Sequence, residues 1–93
     1  MGIKIERYFD GINLEIMLKL PQGDSYIIAS KNDNEKYVAS VYLPWLVLRG
    51  GIDAFGFEDE IDKEYLQEII NAPSFELIKI IRKCLPIMKE RLE

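Results

Sequence analysis

The chain has 93 residues, 48% of them apolar and 30% charged, with a net charge of −4, which bounds it to one ordinary globular domain with a single core. It contains no histidine and one cysteine, Cys84. The usual general base of a Ser or Cys nucleophile, the commonest zinc ligand and an internal disulfide framework are therefore all excluded.

The first ten residues, MGIKIERYFD, are charged and unlike a secretory signal, no apolar run reaches membrane-spanning length, and Glu6 stands where myristoylation wants Ser or Thr. The expectation is a soluble cytoplasmic protein that does not engage a membrane.

Residues 1–43 read as an antiparallel meander of four strands. Asp10-Gly11 lies between two alternating runs and predicts a two-residue hairpin turn, with Phe9 facing Ile12 and Ile5 facing Ile16. PQGD at 21–24 and NDNE at 32–35 supply the next turns. Pairing Leu20 with Asp24 and Asn32 with Glu35 sends Tyr26, Ile28, Tyr37, Ala39, Val41 and Leu43 to the core. The register shifted by one residue is rejected because it carries Lys31 inward.

On that register the outer face carries Tyr8, Met17, Lys19, Ile27, Lys31, Lys36, Val38 and Tyr42, together with Lys4. Four lysines and two tyrosines suit stacking and backbone contacts with single-stranded nucleic acid. The centre of the face, Met17, Ile27, Ala29 and Val38, suits an apolar cover instead, either this chain's own or a partner protein's.

The connector 44–57, within the stretch LPWLVLRGGIDAFGF at 43–57, reads as a hairpin turning at Gly50-Gly51, with Trp45 and Phe55 laid on the outer sheet face, or as a short helix from Pro44 that stops at Gly50. Its glycines match neither GxGxxG nor a P-loop, and the calcium-loop pattern fails from Asp53 onward, where phenylalanines fill two ligand positions.

Residues 58–93 read as helical. Ile61, Tyr65, Leu66, Ile69 and Ile70 recur at helical spacing, with acidic residues crowding the first turn. Residues 53–68 hold seven acidic side chains against Lys63 alone, and Glu60, Glu64 and Glu68 form a candidate acidic face. Ala72-Pro73 ends this helix and Ser74 is placed as the cap of the next. There, Ile78, Ile81, Leu85, Met88 and Leu92 follow heptad spacing beside a second ridge of Leu77, Ile80, Cys84 and Ile87, which points to self-association as well as packing. Pro86 should kink or split that helix.

The chain is thus expected to be α+β: a four-stranded antiparallel meander, an apolar connector and two C-terminal helices in a single domain spanning residues 1–93. The expected function is a non-catalytic, homodimeric module that binds another protein, with no cofactor and no metal. The alternatives are a single-stranded DNA or RNA binder, and an acidic inhibitor or immunity-type protein. The order of elements is similar, at topology level alone, to sheet proteins that bind single-stranded DNA.

Overall fold

The structure is a computed structural model that describes the backbone of residues 3–47 and 53–90 and the side chains of 3–46 and 60–86. Five strands, β1 (Ile5–Phe9), β2 (Asn13–Leu20), β3 (Gly23–Lys31), β4 (Tyr37–Val47) and β5 (Asp53–Ile61), precede two helices, α1 (Lys63–Asn71) and α2 (Ser74–Glu90). The strands form one antiparallel sheet in sequence order. The α+β class and the meander are as expected, and a fifth strand replaces the second half of the connector.

The first hairpin turns at Gly11-Ile12 and not at Asp10-Gly11, with Ile5 opposite Leu18 and Phe9 opposite Leu14. Asp10 opens the turn: its Oδ1 accepts the N–H groups of Ile12 at 2.9 Å and Asn13 at 2.7 Å. Only Gly11 then needs positive φ, at 95°, the arrangement of a type II′ turn. Because the pairing moves by two residues, each side chain keeps its face.

The β2–β3 register is the one rejected above. Leu20 pairs with Gly23, Leu14 with Ala29 and Ile16 with Ile27. The β3–β4 ladder is likewise one residue from the expected Asn32–Glu35 pairing, with Lys31 opposite Tyr37 and the Asn32 N–H donating to the Lys36 carbonyl, so β4 keeps its expected core face. Ile27 and Ala29 are therefore core residues, whereas Tyr26 and Ile28 stand on the outer face. The objection to this register was the burial of Lys31, and geometry removes it. Lys31 is the last residue of β3, opposite Tyr37 at the end of the ladder, and its Nζ reaches Glu35 Oε2 at 2.6 Å. Gly23 also has a positive φ of 144°, and a Cβ there would meet Trp45 Cδ1 at 2.8 Å, so the tight end of the hairpin admits only glycine without rearrangement.

β4 and β5 form a hairpin, which excludes the short helix from Pro44; the turn at Gly50-Gly51 lies outside the described residues. While β4 advances from Leu43 to Val47, β5 advances only from Ala54 to Asp53. Pro44, Trp45 and Leu46 bulge there, which is where a strand tolerates a residue without an N–H. Trp45 lies on the core side and not on the outer face: its Nε1–H donates to Ser25 Oγ at 3.0 Å, so buried Ser25 is satisfied. The acidic residues Glu58, Asp59 and Glu60 belong to β5 and not to a helix.

α1 starts one residue after Asp62, whose carboxylate accepts the N–H of Tyr65 at 2.8 Å, a standard N-cap bond. Its C-terminal carbonyls at Ile70 and Ala72 accept from the Arg7 guanidinium at 2.9 and 2.7 Å. This satisfies orphan acceptors and places a cation at the negative end of the helix dipole. Pro73 carries α2's first turn through its carbonyl, which accepts from Glu76 and Leu77. Ser74 is accordingly the first helical residue and not the cap. α2 runs through Pro86 as one helix.

Both helices cover one face of the sheet. Leu66 and Ile69 from α1 and Leu77, Ile81 and Cys84 from α2 join Leu14, Ile16, Leu18, Ile27, Val41 and Leu43 in one buried cluster. No described helix is long and apolar enough to cross a membrane.

Candidate interaction surface

The side of the sheet facing away from the helices carries rows set by the observed registers. The central row is Glu6, Met17, Tyr26 and Tyr42, one residue from each of β1 to β4. Beside it run Tyr8, Glu15, Ile28 and Ser40, and beyond these Asn13, Ser30, Val38 and Glu60. On the other side stand Lys4, Lys19 and Asp24.

None of these residues is buried, whereas the same strands bury Leu14, Ile16, Leu18, Ile27 and Val41 on the opposite face. Met17, Tyr26, Ile28, Val38 and Tyr42 are half-buried and contiguous. Tyr26 and Tyr42 hold their rings 5.8 Å apart at 32°, an offset aromatic pair that stiffens the middle of the face. Together with Glu15, Ile28 and Pro44 they line a shallow hollow of about 500 Å³. An apolar centre inside a polar rim is the usual anatomy of a protein-binding surface.

Charge on the face is mixed. Lys4 Nζ lies 3.7 Å from Glu6 Oε1, Lys19 stands opposite Asp24 in the β2–β3 ladder, and Glu60 Oε2 accepts from Asn32 Nδ2 at 2.7 Å. At the hairpin end the Tyr8 hydroxyl donates to Asp10 Oδ2 at 3.1 Å. That bond raises the Tyr8 pKa, and the two backbone N–H groups hold the Asp10 carboxyl below its ordinary range.

Of the expected outer-face residues, Tyr8, Met17, Lys19, Val38 and Tyr42 are brought together here. Ile27 is in the core, Lys31 has turned to the opposite side with Glu35, and Lys36 is exposed in the turn before β4. Tyr26 and Ile28 were missed. β3 is apolar on both faces, so alternation alone does not choose between them. The signal that does choose is Leu20-Pro21-Gln22-Gly23, which fits a tight turn with Pro at its second position and Gly at its fourth.

The expected helical interface is divided. Ile81 is 1% exposed and belongs to the chain's own core, Ile78 and Leu85 flank it half-buried, and the side chains of Met88 and Leu92 lie outside those described. The acidic face is not assembled either: Glu64 and Glu68 are exposed on α1, while Glu60 sits on β5 against Asn32. A cleft of about 570 Å³ between α1 and α2 mixes Glu68 and Glu76 with Lys79 and Lys83. Among the described residues no group of three potential metal ligands comes together, and no buried side-chain polar atom lacks a partner.

No family model, curated protein or solved structure matches this chain.

Proposed function

We propose that this protein is a non-catalytic interaction module that binds a protein surface through the outer face of its sheet. The observation that supports this reading best is the contiguous patch of Met17, Tyr26, Ile28, Val38 and Tyr42, apolar and unburied on a face opposite the helices. Tyrosines and a methionine at the centre of a polar rim are the residue types that dominate binding energy at such surfaces. The buried free thiol of Cys84 suits a reducing, cytoplasmic setting.

The nucleic-acid alternative is weaker. Lys4 and Lys19 share the face with Glu6, Glu15, Asp24 and Glu60, and Lys31 is paired on the other side. A backbone-tracking groove needs a surplus of cations. The inhibitor alternative loses its continuous acidic helix face, because Glu60 lies apart from Glu64 and Glu68.

The test is affinity capture with wild-type protein, with Tyr26→Ser/Ile28→Lys, and with Lys79→Glu as a helix-side control. A protein retained by wild type and by the control should bind the outer-face variant about 10–100-fold more weakly when titrated pure. Equal binding by all three overturns the reading, and so does tight, steeply salt-sensitive binding of a single-stranded oligonucleotide.

A further inference from the structure

The geometry points to a second copy of this chain as the occupant of the outer face, stacked sheet to sheet about a two-fold axis lying along the row Glu6, Met17, Tyr26 and Tyr42. This rests on the outer face being the working surface. It goes further by naming what sits there and in which orientation.

The first argument is self-complementarity. A two-fold axis lying in an interface and crossing the strands exchanges positions at equal distances on either side of it. Glu15 and Lys19 both stand on β2, two residues on either side of Met17 and on the same face, roughly 7 Å from the row in each direction. The axis therefore brings Glu15 of each copy over Lys19 of the other, giving two oppositely charged pairs from a single surface.

The same operation on β1 sets Tyr8 over Lys4 of the other copy, an aromatic ring over an ammonium group. Glu6 meets its own copy at the rim, where Lys4 of the same chain already stands 3.7 Å away. On the axis itself lie Met17, Tyr26 and Tyr42, so the apolar residues meet at the centre. Two contacts on the described face are unfavourable: Glu6 against its own copy, offset by Lys4, and Asp24, which faces Ile28 of the other copy.

The second argument is size and shape. The molecule measures 36 × 35 × 18 Å, a slab of one sheet and one helical layer. Five strands about 4.8 Å apart and some eight residues long make a face of roughly 600 Å². Two such faces together bury about 1,200 Å², the lower bound of a stable specific interface. Stacked sheets also pack with their strands within about 30° of alignment, as this axis requires.

Sedimentation equilibrium tests the inference with wild type, Glu15→Lys, Lys19→Glu and the double reversal Glu15→Lys/Lys19→Glu. These side chains are exposed, so each variant should keep the wild-type circular dichroism spectrum. The expected result is a wild-type mass of twice the 10.8 kDa chain, at least tenfold weaker association for each single reversal, recovery in the double reversal, and tighter association for Asp24→Asn. A monomer at every concentration overturns the second copy but not the outer-face reading, which the capture experiment decides separately. A dimer indifferent to both single reversals, or one that the double reversal fails to recover, overturns the stated axis.

Discussion

Asp10 is the residue on which the first hairpin depends, because one carboxylate closes the turn through two backbone N–H bonds and also receives the Tyr8 hydroxyl. Its carboxyl is held below the ordinary range by those donors, so its contribution to stability is present above the unfolded pKa and is lost as pH falls through the folded one. Asp10→Ala should therefore melt below wild type at about pH 7, and the gap should be smaller at about pH 3, where the unfolded chain already takes up the proton. Melting curves at the two pH values check this; a gap that is constant with pH would show that the carboxylate contributes nothing through its ionisation. The same residue shows what was legible at this scale. The DG pair marks the turn correctly, but the side-chain bonds that make Asp10 its opening residue, and not one of its two corners, depend on where the carboxylate reaches.

Strands one and two were legible as elements because their apolar residues alternate, β4 because β-branched and aromatic residues fill it between two turns, and α1 because its apolar residues repeat at helical spacing. β3 was legible as a strand but not in register. Its run Tyr26, Ile27, Ile28, Ala29 offers apolar side chains to both faces, so the register hangs on the tight turn Leu20-Pro21-Gln22-Gly23 alone, and the close approach of Gly23 to Trp45 that goes with it is remote in sequence. β5 was half legible: its first residues belong to the hairpin reading of the connector, whereas its acidic end, Glu58 to Glu60, resembles a helix start. In α2 the heptad pattern is present, yet the buried line runs Leu77, Ile81, Cys84 and cuts across both expected ridges. Ile81→Ala should accordingly cost about 2–5 kcal/mol, whereas Phe75→Ala, at a residue 62% exposed, should stay within about 0.5 kcal/mol. Urea denaturation of the two variants measures both. Equal, small effects would mean that α2 is not seated on the sheet through Ile81.

At the scale of the whole molecule, one layer of helices protects one face of a five-stranded sheet and leaves the other face semi-apolar. An uncovered face with aromatic residues at its centre tends to be covered by something, and the balanced charges of its rim favour a protein over a polyanion. The most direct measurement is hydroxyl-radical footprinting of the native protein at working concentration. Tyr65 and Phe75, at 47% and 62% exposure on the helical side, should label readily. Met17, Tyr26 and Tyr42 should be protected well beyond their half-buried state in the single chain, and Ile28→Lys should restore their labelling. Ready labelling of Met17, Tyr26 and Tyr42 in the wild type, with protection appearing at Phe75 and Tyr65 instead, would contradict the account and move the working surface to the helices.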